Sequence, residues 1–127
     1  MRARKRTSVP NSLLLVMDHA AGVIPDSMNG SLIATTPSCI AVGTSSDCDE
    51  EVEIELATEE VDTDARMRCV CTTSLKTPNR ELAVSTVLGE TLLVIHVDDV
   101  VTHVEVWVNH GTEPSRVAVV ARTVRSS

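Results

Sequence analysis

Strict alternation of apolar and polar residues is the property that most restricts the fold of this chain. Valine, isoleucine and leucine alternate with glutamate at 51–56, and valine alternates with polar residues at 102–109. Successive side chains of a β-strand point to opposite faces, so this period of two is typical of strands with one buried face. The core has to be aliphatic, because the chain contains one Trp and no Tyr or Phe. The frequent valines, whose branched side chains pack well in a pleated sheet, favour β-structure throughout.

Short segments of this kind recur along the chain at a spacing of roughly ten residues. Turn residues separate them, and no segment has the apolar stripe of an amphipathic helix. The sequence therefore predicts an all-β fold, a single antiparallel β-sandwich of about eight to ten short strands. We assign the sandwich to residues 12–124 and expect the basic segment 1–11, which lacks periodicity, to be disordered. The predicted strands are Leu13–Asp18, Ser31–Thr35, Cys39–Thr44, Glu51–Thr58, Arg66–Leu75, Glu81–Val87, Glu90–Val97, Thr102–Asn109 and Arg116–Arg122.

The segment from Asp47 to Asp64 contains ten of the eighteen acidic residues. We expect its strand to form a hairpin with the strand that follows it. One antiparallel register puts the apolar residues of both strands on one side and Glu55 opposite Arg68 on the other, and a slip by one residue would reverse the faces. The apolar pairs in this register are Leu56 with Met67, Ile54 with Cys69 and Val52 with Cys71.

The charge of the chain is unevenly distributed. The net charge is −7, although four basic residues are concentrated between Arg2 and Arg6. A protein with this negative net charge repels nucleic acid and anionic membranes. The charge favours a basic protein as the partner. The alternative is that the charge only maintains solubility. The acidic candidates for protein binding are Asp47, Asp49, Glu50, Glu51, Glu53, Glu59 and Glu60.

Trp107, the only aromatic residue, is the other candidate contact. Alternation puts it on the face opposite Val106 and Val108, which would leave it partly exposed. Tryptophan is enriched among the residues that dominate protein interfaces. The alternative is that a second layer covers this face and Trp107 belongs to the core.

His96 and His103 are the best candidates for binding a metal. A hairpin of residues 90–97 and 102–108 would bring the two imidazoles together beside a carboxylate, a ligand set that suits zinc or iron. The alternative is a solvated turn with two surface histidines, and no other feature predicts a cofactor. The carboxylates near the two histidines are Asp98, Asp99 and Glu105.

No arrangement of residues predicts an enzyme. Cys69 and Cys71 lie two apart, on one face of a strand, and are expected to be thiols of the core. The exposed carboxylates of the acidic strand lack the burial that raises the pKa of a catalytic acid. The four cysteines are expected to be free in a reducing compartment. A disulfide between Cys39 and Cys69, or between Cys48 and Cys71, is the alternative.

The N-terminal region has the charge of a secretory signal but not its apolar core. The apolar run at 13–17 is shorter than the roughly 7–15 residues that such a core requires. No segment approaches the roughly 20 apolar residues of a membrane helix. These features predict a soluble, cytoplasmic protein.

Three segments resemble the competence nuclease-inhibitor family, often called ComJ-like. They are IAVGT at 40–44, VEIEL at 52–56 and SLKTPNRELAV at 74–84, and Asp18 followed by Pro25 is similar to an early Asp and a later Pro of that family. The resemblance implies a small β-sandwich and, for some members, inhibition of a DNA-entry nuclease. The chain departs from the family in its lack of aromatic residues, and DDVVT at 98–102 stands where the family has a Pro-Gly-Tyr turn.

The sequence thus favours a non-enzymatic protein-binding module, an acidic inhibitor of a basic partner such as a nuclease. A small metal-binding protein that uses His96 and His103 is one alternative. A structural or assembly subunit that uses Trp107 and an exposed strand edge is another.

Overall fold

The structure is a computed structural model and describes residues 2–18, 22–28, 30–45, 51–58, 67–111 and 114–123. Within these residues the chain forms ten β-strands and one short 3₁₀ turn, Pro10–Ser12. The all-β prediction is confirmed, and each of the nine predicted strands is present with ends shifted by a few residues. The strands are β1 (Arg2–Thr7), β2 (Leu13–Met17), β3 (Ile33–Thr36), β4 (Cys39–Gly43), β5 (Val52–Thr58), β6 (Arg68–Lys76), β7 (Glu81–Thr86), β8 (Thr91–His96), β9 (Val101–Val108) and β10 (Arg116–Thr123).

The strands form two five-stranded sheets. Sheet A has the order β1-β5-β10-β9-β6 and sheet B the order β3-β4-β2-β7-β8. Neighbouring strands pair antiparallel, with the exception of β5 and β10, which are parallel. Several neighbours are therefore distant in sequence, so the fold depends on long-range pairing more than on local hairpins.

One aliphatic core receives residues from both sheets. On β9, Val104, Val106 and Val108 are fully buried, as the alternation predicts. They belong to the same cluster as Leu14 of β2 and Leu82 of β7, which come from sheet B. A second, smaller cluster around Leu15, Cys39 and Ala41 lies on the other face of sheet B.

The predicted hairpin between the acidic strand and the next strand is wrong. In sheet A, β5 lies between β1 and β10, whereas β6 is the outermost strand and pairs with β9. Arg68 is exposed and opposite Val108, not opposite Glu55. The register derived from alternation was compatible with any partner that has the same period, and β1 offers three arginines to the acidic face where the predicted strand Arg66–Leu75 offered two.

The prediction of a disordered N-terminal segment is wrong for the described part of it. Residues Arg2–Thr7 form β1, which pairs antiparallel with β5 along its full length. Val9, which follows the strand, is completely buried in the core. The segment has no apolar periodicity because its stabilising contacts are charged, as described below.

Asp18 connects β2 to the turn between β6 and β7. Its carboxylate is buried and accepts hydrogen bonds from the backbone N–H of Asn79 at 2.8 Å and from the Asn79 side chain at 2.9 Å. Arg80 in this turn has a φ of 56°, a left-handed conformation that is uncommon for residues other than Gly and Asn. Asp18, which is one of the residues that resemble the ComJ-like family, therefore has a structural role in this fold, since it binds the turn at Asn79.

Among the described residues there is no helix with the length and apolar character needed to cross a membrane.

The burial of Val106 on the core face of β9 can be tested by the same substitution at a buried and at an exposed valine. Val106→Ala removes two methyl groups from a side chain with 0% exposure, and we expect a loss of about 2 kcal/mol in the free energy of unfolding. Val94→Ala makes the same change on β8 at a side chain with 48% exposure and should cost less than about 0.5 kcal/mol. Urea unfolding followed by circular dichroism measures both, and equal losses would contradict the assignment of Val106 to the core.

Candidate functional site

The acidic face of β5 meets a complementary face of β1. Every second residue of β1 is an arginine, and the pairing register places Arg4 opposite Glu55 and Arg6 opposite Glu53. Side chains at alternate positions of a strand lie on one face, so two strands with the same period can match charge for charge. The result is a ladder of arginines against glutamates, which we call the Arg–Glu ladder, formed by Arg2, Arg4, Arg6, Glu51, Glu53 and Glu55.

The contacts of the ladder are graded in distance. Arg2 donates a hydrogen bond from Nε to Oε1 of Glu55. Arg4 Nη2 lies 3.6 Å from Glu55 Oε2, and Arg4 Nε lies 3.7 Å from Glu53 Oε1. Arg6 Nε lies 3.8 Å from Glu51 Oε1. Each arginine of the ladder therefore faces at least one carboxylate of β5 or of the residue before it.

Glu55 differs from the other glutamates of the ladder in its burial. Its side chain is 5% exposed, whereas those of Glu53 and Glu51 are 38% and 58% exposed. The neighbours of Glu55 in the register are Arg4 on one side and Ala118 of β10 on the other. A carboxylate removed from water in this way costs free energy unless charged or polar groups compensate it. Arg2 and Arg4 supply that compensation.

The ladder changes the interpretation of the acidic strand. Glu51 and Glu53, which the sequence predicted to bind a basic partner, face Arg6 and Arg4 of the same chain. The same face also carries Arg116 of β10, opposite Glu53. The middle of the acidic segment is thus an electrically mixed surface. The remaining acidic candidates, Asp47, Asp49, Glu50, Glu59 and Glu60, lie outside the described residues.

A shallow polar depression is present where the ladder meets the turn before β10. Asn109 orders this turn, because its Oδ1 accepts hydrogen bonds from the backbone N–H groups of Ser115 and Arg116, each at 3.1 Å. The depression is lined by Arg6, Glu51, Glu53, Asn109, Ser115 and Arg116.

Trp107 lies on the same outer face of sheet A, as the alternation of β9 predicts. The side chain is half-buried, between Ala118 of β10 and Cys69 of β6 in the register. Its Nε1 donates a hydrogen bond to Oε1 of Glu105 at 3.2 Å. Of the two alternatives drawn from the sequence, the partly exposed Trp107 agrees with this burial and the core residue does not.

Glu105 joins Trp107 to Arg122. Arg122 Nε donates to Glu105 Oε2 at 3.0 Å. Burial by itself would raise the pKa of the Glu105 carboxyl, but the hydrogen bonds from Arg122 and Trp107, together with the charges of Arg122 and His103, lower that pKa below its usual value. Glu105 is therefore held in its ionised form, and as such it positions the indole.

The structure does not bring the predicted metal ligands together. The expected hairpin of residues 90–97 and 102–108 is wrong, because β8 pairs with β7 in sheet B and β9 pairs with β10 and β6 in sheet A. His96 is opposite Glu81, whereas His103 is opposite Arg122 and Ser74. Across the ranges that the structure describes, no three His, Cys, Asp or Glu side chains are placed to hold a metal ion, Asp98 and Asp99 included.

The described cysteines are free thiols, and the alternative disulfides are not formed. Burial raises the pKa of the Cys39 thiol to about 11, a hydrogen bond from the backbone of Val16 opposing this. Cys71 is half-buried, and its pKa is raised by burial and by the nearby Cys69. Cys69 is exposed, contrary to the expectation of a core thiol, because a β-bulge between Cys69 and Cys71 breaks the alternation of β6. Cys48 lies outside the described residues.

Sequence reasoning missed the arginines of the ladder. The signal was present, since arginine at positions 2, 4 and 6 has the same period of two as glutamate at positions 51, 53 and 55. Apolar periodicity does not reveal this strand, because the residues that recur at every second position are arginines. Matching of charge periods between distant segments would have identified the pair.

The fold has close counterparts among solved structures. The structure of ComJ from Bacillus subtilis, an inhibitor of the DNA-degrading activity of NucA, superposes with a TM-score of 0.68 over 96% of each chain, at 10% sequence identity. A protein described as crocagin biosynthetic gene J superposes with a TM-score of 0.56, over 98% of this chain and 96% of the other, at 9% identity. Neither a protein-family model nor a curated protein sequence matches the chain. The ComJ-like resemblance is therefore confirmed at the level of the fold.

Removal of charge at two positions of the ladder tests the role of burial. Glu55→Gln should lower the free energy of unfolding by about 1.5–3 kcal/mol, the range for hydrogen bonds to charged groups, because its carboxylate compensates two arginines in a buried site. Glu53→Gln, the same change at a half-exposed position, should cost no more than about 1 kcal/mol. Chemical unfolding followed by circular dichroism provides the comparison. A larger cost for Glu53→Gln would show that burial does not control the strength of the ladder.

The ion pair of Glu105 predicts a dependence of stability on pH. Because its pKa is lower in the folded chain than its ordinary value of 4.5, the ionised carboxylate stabilises the fold above that value, and the contribution is lost as the pH falls through the folded pKa. The difference in unfolding free energy between the wild type and Glu105→Gln should be at most about 1 kcal/mol near neutral pH and should shrink below about pH 4. Unfolding curves at several pH values measure it, and a difference that is independent of pH would contradict the assignment.

Proposed function

We propose that this protein is a non-catalytic protein-binding module that inhibits a basic partner protein, of which a nuclease is the leading class. The observation that carries the proposal is the similarity in fold to ComJ over 96% of both chains. ComJ inhibits a nuclease. The distance in sequence means that partner and contact residues have to be argued from this chain.

A β-sandwich is the architecture that we propose for the two sheets. Its support is the shared core, in which Leu14 and Leu82 of sheet B pack in one cluster with Val106 and Val119 of sheet A. The second cluster, around Leu15, Cys39 and Ala41, covers part of the outer face of sheet B, so recognition is left to the outer face of sheet A and to the ends of the two sheets. The outer face of sheet A carries the Arg–Glu ladder and Trp107, which are the charged and aromatic side chains best suited to bind a protein.

The charge of the chain supports a basic partner. The net charge is −7, and the ladder compensates much of the charge of β5, so the remaining negative potential has its source elsewhere. The segments that adjoin the two ends of β5 hold much of the other acidic charge, and we assign the first contacts with the partner to them. Such charges accelerate association and make it sensitive to salt. The residues proposed for this role are Asp47, Asp49, Glu50, Glu59 and Glu60.

A cytoplasmic site of action fits the same proposal. Free thiols at Cys39, Cys69 and Cys71 are the form that a reducing compartment maintains.

Inhibition can be tested with the full-length protein and a nuclease from its own host. A tagged copy is used to capture partners, and each captured nuclease is purified and assayed on plasmid DNA with increasing amounts of the untagged protein. We expect complete protection of the DNA at a molar ratio near one to one. Capture of no nuclease, or unchanged degradation at a large excess of the protein, would refute the proposal.

A pair of charge variants tests the proposed contacts in the same assay. Asp47→Asn with Asp49→Asn should slow association with the nuclease by about tenfold at low salt, because the electrostatic attraction is reduced. Asp98→Asn with Asp99→Asn removes the same charge from the exposed turn after β8 and serves as the matched control. Equal effects of the two pairs would show that only the net charge matters and would contradict the assignment of the contact.

A further inference from the structure

The strand β1 contributes little to the core of the protein. Its side chains alternate between Arg2, Arg4 and Arg6 on the outer face and residues that oppose the core face of β5. On the core face, Ala3 packs against the cluster, whereas Lys5 remains exposed although it is opposite the fully buried Ile54. Strands with few apolar contacts open more readily than the rest of a sheet. The attachment of β1 therefore depends mainly on its backbone pairing and on the Arg–Glu ladder.

The side of β5 that pairs with β1, which we call the β5 edge, favours a covering strand that carries positive charge. Glu55 is buried, and each of its two carboxylate oxygens faces a cation, Oε1 facing Arg2 and Oε2 facing Arg4. Glu53 and Glu51 follow at the spacing of alternate strand positions, about 7 Å apart, so the edge presents three carboxylates in one line. Backbone groups of an uncovered strand accept any extended segment. A segment with arginine at every second residue would also satisfy the carboxylates.

The connection between β1 and β2 is fixed to the core by its own contacts, independently of β1. Asn11 and Ser12 both have a positive φ, 57° and 54°, a conformation that only Gly, and less often Asn, adopts without strain. Val9, just before this connection, is fully buried and anchors the chain. Release of residues 2–7 thus leaves the core and the β2 strand in place.

We propose that the β5 edge is a docking site for an extended, arginine-containing segment of the partner, which displaces β1 and takes its position as the outer strand of sheet A. The inference rests on the proposed function and names the contact through which a basic partner is held. Strand addition of this kind obtains affinity from backbone hydrogen bonds and specificity from side chains at alternate positions. In this molecule β1 acts as a substitute for the partner, so the acidic edge is covered when the partner is absent.

Competition by β1 determines which partner segment succeeds. A tethered strand has a high effective concentration, so a free segment of the same length binds weakly. The partner's segment has to be longer, or to be supported by contacts outside the edge, such as those proposed for the acidic segments. A basic protein without such a segment would bind by charge alone and would leave β1 in place.

The probe for this site is a synthetic peptide with the sequence of β1, RARKRT, extended by a fluorescent label. The control peptide RRKRAT has the same composition but carries only two cations on either face when it is extended. We expect the full-length protein to bind the first peptide at least tenfold more tightly, by fluorescence anisotropy at low salt. Hydrogen exchange measured by mass spectrometry should show at least fivefold faster exchange at Arg2–Thr7 in the complex, with β5 still protected.

Two variants make the test independent of weak binding by the wild type. Arg4→Ser removes the Arg4 contacts with Glu53 and Glu55, leaves only Arg2 against Glu55, and should raise the affinity for RARKRT by about tenfold. Lys76→Ser removes the same charge from β6, at the opposite edge of sheet A, and should leave the affinity unchanged. If Arg4→Ser does not fold, the peptide and exchange measurements on the wild type still decide.

Several results would overturn the inference. They are equal binding of both peptides, protection of β1 in the complex, or no binding by either the wild type or Arg4→Ser. A dimer in native mass spectrometry that forms by mutual exchange of β1 would also overturn it, since the occupant would then be a second copy. The nuclease assay is separate: inhibition without peptide binding refutes only strand displacement, and peptide binding without inhibition refutes only the inhibitory function.

Discussion

The position of β5 imposes the main electrostatic constraint on this structure. The strand is an inner strand of sheet A, with its apolar face in the core and its glutamates on the outer face. An inner strand cannot turn its carboxylates freely toward water, and Glu55 is buried as a result. The arginines of β1 compensate that burial, so the edge strand β1 is held to β5 by charge as well as by backbone pairing. The arginines of β1 and the glutamates at 51, 53 and 55 therefore form one structural element.

The core is filled by aliphatic side chains in place of aromatic rings. Valines of β9 and β10 fill the interior, where larger rings would otherwise span the distance between sheets. Beta-branched side chains lose little freedom in a strand and pack closely on the pleated surface. On the outer face of sheet A, the small residues Ala57 and Ala118 are also buried. The single Trp107 is placed on that face and not in the core.

The local arrangement of charge limits which carboxylates are available to the proposed partner, and the net charge does not reveal this arrangement. The ladder neutralises carboxylates that an inspection of composition would count as available for a partner. Conversely, it indicates what the β5 edge can recognise, because a bound arginine strand is present within the molecule. The similarity to ComJ concerns the fold, and the ladder is the feature of this chain that suggests how a basic protein would be bound.

Local apolar periodicity identified nine of the ten described strands and, where it is strict, as in β9, the face that is buried. Val104, Val106 and Val108 are in the core and Trp107 is outside because the pleat itself has a period of two, and this property needs no knowledge of neighbouring strands. The order of the strands was decided only by the tertiary structure, because any strand with a matching period can pair with β5. In the structure, β5 pairs with β1, which carries three arginines, and in parallel with β10, and it does not pair with β6. Both partners are far from β5 in sequence. The separation of His96 from His103 and the exposure of Cys69 have the same origin, since sheet assignment and a β-bulge depend on long-range pairing that alternation does not encode.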